Sequence, residues 1–327
     1  MYTSEKEIET FLDEYKRSKV IIETTTRAVL NRAVGFEKRF MKPFYEFTTD
    51  EALEMYESAH AVSVVSLQNT NLVLKNAARW FRHKQGGIIE SAYEKITKDM
   101  LETVIDVDKQ RSLILSKEDI EELMDQLLNW TDKCILFLLF NGSGGHMLDE
   151  LTFLKWKQIS RQDLKVYFRN GKIIDITEDD YNMLKNGFEE DELISFGSTT
   201  RISKVRSTGI YKVRANSLSD NDNQDDPRDV ERRYRWVQRR LYLIGGDLGV
   251  KLTSGGLQNS GLLWHLQQKV KETGIEFREF VRTEAALEIA QRYDIFSAFY
   301  PQILIQKFEQ YFKEDKFPLV HKTIQND

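Results

Sequence analysis

Apolar residues recur at helical spacing through the first hundred residues of the chain. Ser4 and Glu7 form a capping box, in which a hydroxyl and a carboxylate satisfy free backbone amides at the start of a helix. Thr48 and Glu51 repeat the same signature. Together the caps and the apolar spacing predict four helices, over 5–18, 24–41, 48–59 and 66–83. We therefore expect a small all-helical domain at the start of the chain.

The helical pattern stops at Gly86 and Gly87. Residues 88–112 are ambiguous between helix and linker, because neither apolar spacing nor turn residues dominate there. We place the domain boundary near residue 112. This gives a helical domain over 1–112 and a second domain over 113–327.

The second domain opens with Ser116 ahead of an amphipathic helix whose first turn is acidic, where the helix dipole favours negative charge. Residues 132–140 are too apolar to face water, which predicts a core helix. That helix ends at a glycine-rich turn over 141–145, and residues 148–156 again show helical spacing.

Residues 164–176 change to alternation of apolar and polar positions. Asn170 and Gly171 separate the two alternating runs, which is the strongest short-range signal of a β-hairpin. The following segments predict a helix at 177–187, a strand at 193–196, a basic segment at 200–214, an acidic loop at 216–227, and helices at 228–245, 257–273 and 284–313. The predicted fold class is mainly α with a small β-sheet.

The composition of this 327-residue chain indicates the cellular compartment in which it works. Its single cysteine, Cys134, excludes a disulfide within the chain and any CxxC motif, so a reducing compartment is expected. The longest unbroken apolar run covers only 134–140, and the first residues are polar, so we expect neither a membrane span nor a signal peptide. These features predict a cytoplasmic protein that does not contact a membrane.

Several candidate sites have ordinary structural explanations. The cluster Gly142, Gly144 and Gly145 follows a helix and lacks the Lys-Ser/Thr of a phosphate-binding loop, so it predicts a turn. The five histidines show no metal-ligand spacing, and Cys134 lies within an apolar run typical of a core. We therefore predict neither a metal site nor a small-molecule cofactor.

Lysine and arginine cluster more strongly than the net charge of −5 suggests. Four segments are rich in them and poor in acids: 16–42, 69–87, 198–214 and 228–240. Each segment alone is typical of a solvated helix face. Together, and interleaved with tyrosine and tryptophan, they indicate basic surfaces that bind DNA or RNA.

The order of segments resembles a tyrosine recombinase of the phage integrase family over nearly the whole chain. The family's catalytic domain opens with an apolar helix, then a turn leading to Glu-Leu-x-x-Leu-x-Trp-x-x-Ile, and five positions match that pattern: Glu150, Leu151, Leu154, Trp156 and Ile159. Lys172 lies where the family has its catalytic lysine hairpin. Tyr293, 35 residues after Gln258, is close to the spacing of the nucleophilic tyrosine.

The departures from the family pattern concern its active site. No arginine lies between Gly142 and Glu150, and the His-x-x-Arg positions align with Gly255 and Gln258. The later histidine or tryptophan position falls in 281–283, which offers neither. Only Lys172 and Tyr293 remain as residual catalytic candidates.

These losses bear directly on the family's reaction. Attack of a tyrosine on a DNA phosphate builds negative charge, and removing one positioned donor costs about 10²- to 10³-fold in rate. A tyrosine of pKa about 10 also needs help to become a nucleophile. We therefore expect that the protein has no recombinase activity and is not an enzyme.

The lengthened glycine turn and the missing residues are similar to those of the integrase-like master repressors of lysogeny in SPβ-like Bacillus phages. This resemblance implies a two-domain clamp, with a helical SAM-like core-binding domain and a degenerate catalytic-like domain, that binds operator-like repeats in double-stranded DNA. DNA contacts are expected from the basic segments, at Lys75, Arg79, Arg82, Arg201, Lys204, Arg206, Lys212, Arg214, Arg232, Arg233 and Arg240.

Two other functions stay open at this point. One is an active recombinase with a rearranged site, in which Tyr293, Tyr300 or Tyr311 attacks DNA. The other is a protein-interaction module that regulates a true integrase through the C-terminal helix over about 300–313. The same helix could support self-association.

Overall fold

The computed structural model describes residues 2–18, 23–87, 90–196, 201–207, 209–215 and 225–311. The chain divides into two units, Met1–Gln110 and Arg111–Asp327. Within the described ranges, no helix combines the length and the apolar character needed to cross a membrane.

The described part of the first unit contains helices and connecting segments but no strand. Its helices are α1 (Glu5–Ser18), α2 (Glu23–Phe40), α3 (Thr49–Glu57), α4 (Val64–Lys84), α5 (Ala92–Lys95), α6 (Lys98–Thr103) and α7 (Val107–Arg111). The capping box of Thr48 and Glu51 forms at the start of α3, with both reciprocal hydrogen bonds present. The ambiguous segment 88–112 contains the three short helices α5, α6 and α7.

Aromatic packing forms the core of the first unit. The ring of Phe81 on α4 stacks on Tyr45 and meets Phe44 edge-on, both at 5.4 Å between ring centroids. Phe11 on α1 is buried against the same ring, at 6.3 Å. These contacts bind α1 and α4 to the short segment that precedes α3.

The second unit surrounds an apolar central helix. Its helices are α8 (Lys117–Gln126), α9 (Trp130–Phe140), α10 (Asp149–Thr152), α11 (Glu178–Glu189), α12 (Pro227–Asp247), α13 (Ser254–Thr273), α14 (Phe277–Phe280), α15 (Glu284–Arg292) and α16 (Tyr300–Tyr311). Residues 134–140 of α9 are all buried, as their apolar run predicts. α9 packs against α11 on one side and α13 on another.

Two small antiparallel sheets accompany these helices. The first has the strand order β1 (Ile159–Ser160), β2 (Lys165–Tyr167), β3 (Ile173–Asp175), and the second β4 (Glu192–Ile194), β5 (Ile202–Ser207), β6 (Lys212–Arg214). Val166 pairs with Ile174 across β2 and β3, so the hairpin turn falls at Asn170 and Gly171. The hairpin predicted from the alternating pattern is thus confirmed. In the second sheet, β4 corresponds to the strand predicted at 193–196, and β5 and β6 lie in the basic segment.

Two predicted helices are shorter than expected. The helix predicted at 148–156 is the single turn α10, which follows Met147 and Leu148 in left-handed backbone conformations with φ of 52° and 60°. The helix predicted at 284–313 is broken into α15 and α16, and Asp294 between them has a φ of 61°. Most of the acidic loop, 216–224, lies outside the described residues.

The contact of α9 with α13 depends on Gly261. A β-carbon at this position would lie 1.6 Å from the carbonyl oxygen of Phe140 and 2.5 Å from the hydroxyl of Tyr293. Gly255, in the same helix, has nothing within 4 Å of an added β-carbon. Gly261 is therefore required by the packing of α13, whereas Gly255 is not.

We predict that Gly261→Ala lowers the free energy of unfolding by about 3 kcal/mol, because the added methyl group forces two helices apart. Gly255→Ala is the matched control and should raise it by about 0.5 to 1 kcal/mol through helix propensity. Urea denaturation of the two variants checks both values. Equal effects of the two substitutions would contradict the described packing.

Candidate functional site

The β2–β3 hairpin carries Lys172 to the glycine turn that follows α9. The hairpin closes with the amide of Gly171 donating to the carbonyl of Phe168, and Gly171 has a φ of 86° that favours glycine. The side-chain oxygen of Asn170 then accepts the Lys172 amide at 3.1 Å. This turn aims the lysine inward.

The ammonium of Lys172 is paired with two carboxylates. Its Nζ lies 2.8 Å from Glu150 Oε2 and 2.8 Å from Asp294 Oδ1, and it also donates to the carbonyl of Gly142 at 2.9 Å. The side chains of Lys172 and Glu150 are 5% and 8% exposed. Three acceptors use all three N–H bonds of the ammonium.

Both carboxylates also accept backbone amides of the glycine turn. Glu150 Oε2 accepts from Gly144 at 2.7 Å, and Asp294 Oδ2 accepts from Gly145 at 2.9 Å. Burial raises the pKa of Glu150 above its ordinary value, although the hydrogen bond from Lys172 opposes the shift. Two carboxylates thus share one ammonium in a largely dry site.

Tyr293 ends α15, and its hydroxyl lies inside the packed helices. The hydroxyl donates to the carbonyl of Phe140 at 2.6 Å, beside Gly261. Burial raises the pKa of Tyr293 well above its ordinary value. The phenol therefore keeps its proton, which is held by a backbone acceptor.

The two degenerate positions lie at the start of α13. Gln258 donates from its side-chain nitrogen to the carbonyl of Ser143 at 3.1 Å, so it contacts the same glycine turn as Lys172. Gly255 places no side chain there. The structure thus brings Lys172, Gln258 and Asp294 to one turn, with Tyr293 beside it at the end of α9.

The sequence reasoning missed two residues of this site, Asp294 and Arg292. The guanidinium of Arg292 contacts His265 Nε2 at 3.3 Å and lies 3.9 Å from Asp175 Oδ2. Burial and the Arg292 charge lower the pKa of His265 to about 3, so a neutral imidazole accepts from the arginine. Both residues are next to Tyr293 in the sequence, and this adjacency could have identified them as candidate site residues.

Three of the predicted DNA contacts are buried, and the structure contradicts that role for them. Arg233 is fully buried, where it donates to the carbonyl of Thr152 at 2.9 Å and pairs with Asp229. Its guanidinium also stacks over an aromatic ring on each of two segments, Phe153 and Tyr211, at 4.2 and 4.5 Å.

Arg240 and Lys212 are the other two predicted DNA contacts that are buried. Arg240 forms a two-pronged ion pair with Asp132 at the start of α9. Lys212 donates to the carbonyl of Phe188 at 3.2 Å, and burial lowers its pKa to about 8. These side chains are buried and form hydrogen bonds within the second unit.

The remaining predicted contacts have partners in the chain or are exposed. Arg79 pairs with Glu94 at 2.9 Å, with Lys75 4.0 Å from the same carboxylate, and Arg82 donates to the carbonyl of Tyr45 at 2.7 Å. Arg232 pairs with Asp229. Three basic residues on or next to β5 are exposed, namely Arg201, Lys204 and Arg206, while the side chain of Arg214 lies outside the described residues.

The exposed side of α12 carries a different set of arginines. Arg228, Arg235, Arg239 and Tyr242 recur at helical spacing and all are exposed, with Arg235 paired to Glu231. Val230, Val237 and Leu241 on the opposite side are buried. Extending the apolar period of this helix would have separated these arginines from Arg233 and Arg240.

Comparison with known proteins identifies the family of the second unit. Residues 114–312 match the family model described as "MrpR, C-terminal catalytic domain". The chain belongs to the MrpR family. The expected tyrosine-recombinase-like, mainly α fold with a small β component is thereby confirmed.

A curated relative and a solved structure are also similar to this MrpR-family chain. The SPbeta prophage-derived uncharacterized protein YopR of Bacillus subtilis (strain 168) is 26% identical over 160 residues, which cover 49% of this chain and 47% of YopR. The chain thus matches about half the length of that relative. The Tn1549 transposon integrase (aa 82-397), solved with circular intermediate DNA, aligns with a TM-score of 0.44 at 12% identity, over 94% of this chain and 95% of the integrase fragment.

We predict that Lys172→Met lowers the free energy of unfolding by about 3 kcal/mol at pH 7.5, because it leaves two carboxylates unpaired. Lowering the pH toward 5 should shrink this deficit. The raised pKa of Glu150 means that the folded variant takes up a proton before the unfolded chain does, so acidification favours the folded state.

Urea denaturation at several pH values measures this effect. The matched control is Lys165→Met, a lysine of the same hairpin that lies 3.8 Å from the exposed Asp175, for which a loss below about 1 kcal/mol is expected. A deficit at Lys172 that does not depend on pH would contradict the pairing.

Proposed function

We propose that this protein is a sequence-specific double-stranded DNA-binding protein that acts as a phage transcriptional repressor, maintains lysogeny and does not cleave DNA. The observation that carries the proposal is the pairing of Lys172 with Glu150 and Asp294 at the turn where a recombinase needs free positive charge.

Charge at the site argues against phosphoryl transfer. The transition state of that reaction carries extra negative charge, and cations or hydrogen-bond donors must be free to receive it. Here Lys172 forms ion pairs with two carboxylates, those of Glu150 and Asp294. The degenerate positions Gln258 and Gly255 supply no charge. A phosphodiester approaching Lys172 would meet the carboxylate of Asp294.

The tyrosine supports the same conclusion. A phenol is a weak nucleophile until it loses its proton, and burial makes that loss harder for Tyr293. Its hydroxyl already donates to the carbonyl of Phe140. Tyr300, the second candidate nucleophile, donates to the carbonyl of Thr283 at 3.4 Å, and the side chain of Tyr311 lies outside the described residues.

DNA binding does not need the active-site cations, because phosphate contacts can be spread over exposed lysines and arginines. The exposed set on α12, together with Lys204 and Arg206 on β5, offers such contacts in the second unit. Arg79 on α4 offers one in the first, since its exposed pairing with Glu94 is weak enough to exchange for a phosphate.

The repressor role draws on the phage context. The YopR relative is named as prophage-derived, and a DNA-binding protein of recombinase fold without strand cleavage suits the control of phage genes. We place the protein in the cytoplasm of a bacterial host, bound to operator-like repeats.

A recovery experiment tests this function. The full chain is mixed with sheared DNA from its source genome, bound fragments are recovered, and half of the sample is washed with detergent before sequencing. A few recurring sites near promoters that detergent removes would support the repressor. Sites that resist detergent would instead reveal a covalent tyrosine adduct and overturn the proposal.

If no DNA site is enriched, the result would favour the second candidate function, a protein-interaction module. Phe296 and Phe299, on the connection before α16, are 67% and 69% exposed, which supports a protein-binding or self-association surface at this end of the chain. Sedimentation of the full chain and of Phe296→Ser/Phe299→Ser tests that surface separately from DNA binding.

We predict that Arg239→Gln and Lys204→Gln each reduce the slope of log Kd against log salt by about one, with similar weakening on all DNA sequences. The matched control is Arg161→Gln, an exposed arginine of the second unit that pairs with Glu178 and lies outside the basic segments. Fluorescence anisotropy across a salt series measures the slopes. Unchanged slopes for both variants would refute these contacts.

A further inference from the structure

The carboxylate of Asp294 is bound as an anion would be. One oxygen accepts from the Lys172 ammonium at 2.8 Å, and the other accepts from the Gly145 amide at 2.9 Å. An ammonium and a backbone N–H that converge on two oxygens of one group are the donors with which proteins bind phosphate.

The glycine turn is shaped for this occupant. A β-carbon at Gly144 would lie 2.4 Å from Asp294 Oδ2 and 2.6 Å from Gln258 Nε2, so only glycine leaves room for the carboxylate and the amide above the turn. Gly145 itself has a φ of 75°, which directs its N–H toward the carboxylate. The donors are therefore fixed before any ligand arrives.

Asp294 differs from Glu150 in how firmly it is held. The Glu150 side chain is 8% exposed and also accepts from Gly144 and Asn170, whereas the Asp294 side chain is 29% exposed. Asp294 also belongs to the connection between α15 and α16, with a left-handed φ of 61°. Asp294 is thus the more exposed of the two carboxylates and accepts fewer hydrogen bonds.

We infer that Lys172 Nζ and the Gly145 amide form an oxyanion site for a phosphate group, and that the Asp294 carboxylate fills this site from within the chain. The choice of phosphate as ligand rests on the proposed function, because DNA is the anion such a protein meets. While Asp294 is in place, the phosphate is excluded. Without it, the same donors receive the phosphate oxygens.

The test uses the full chain with Asp294→Gly and Asp294→Asn, since both replacements tolerate the left-handed backbone at this position. Inorganic phosphate is titrated at constant ionic strength while Tm is followed. Phosphate stabilises proteins in general by exclusion from their surface, so the wild type supplies the baseline.

We expect a saturable rise in Tm for Asp294→Gly, with a phosphate Kd at least about tenfold below that of the wild type. Asp294→Asn keeps most of the side-chain volume and should respond less. Adding Lys172→Met to Asp294→Gly should abolish the response. The same response in the wild type and Asp294→Gly would overturn the inference.

A second measurement covers the case in which the double variant does not fold. Chemical shifts of the Gly145 amide, followed with ¹⁵N-labelled glycine, should move saturably with phosphate in Asp294→Gly and not in the wild type. A Gly145 amide that stays unmoved in the variant would overturn the inference even if Tm rises.

DNA binding separates the two sources of phosphate. If a phosphodiester enters the site, the salt slope of DNA binding by Asp294→Gly should be steeper than that of the wild type by about one. An unchanged slope with a positive phosphate titration supports the site and assigns it to free phosphate. If neither protein binds DNA, the proposed function fails, and the titration still decides the oxyanion site.

Discussion

A single ammonium group joins three segments of the second unit that are far apart in the sequence. Lys172 comes from the β2–β3 hairpin, Glu150 from α10, and Asp294 from the connection between α15 and α16. A buried charge without partners is strongly unfavourable, so each segment must adopt the position that completes the pairing. The ion pair acts together with apolar packing at the hairpin, where Val166 and Ile174 are fully buried in the core of the second unit.

The same constraint recurs elsewhere in the second unit. Arg240 pairs with Asp132 and Arg233 with Asp229, and both guanidinium groups also lie over aromatic rings. Arginine suits this position because its planar group can stack and form several hydrogen bonds at once. Part of the positive charge that makes this sequence look like a DNA-binding protein is therefore structural.

Much of the fold could be predicted from the sequence because local signals agreed with the tertiary structure. The capped helices α1 and α3, the apolar helix α9 and the hairpin at Asn170 each follow from a pattern within about fifteen residues. The break at Asp294 could not be predicted in this way. Apolar spacing continues across it. Asp294 closes the end of α15 in a left-handed conformation, with the Ile295 amide donating to the Ala290 carbonyl at 2.9 Å, and its carboxylate pairs with Lys172.

Three residues of the candidate site could be predicted from the sequence, but their chemical state could not. A resemblance in segment order identified Lys172, Gln258 and Tyr293, and the structure brings the first two to one turn with the tyrosine beside it. Their chemical state depends on neighbours from distant segments, which no local pattern reveals. The buried arginines are a different case, because the apolar period of α12 places Arg233 and Arg240 on its buried side, and the prediction treated the basic segment as a whole.

The contact of Tyr293 with Gly261 and Phe140 also determines which substitutions could release this tyrosine from the core. The phenol oxygen occupies space that a β-carbon on α13 would need, so the tyrosine is part of the joint between two core helices. New arginines at positions 255 and 258 would add charge near the glycine turn but would leave that joint closed. Tyr293 could therefore reach a substrate only after the packing of α9 against α13 had changed, whatever side chains occupied positions 255 and 258.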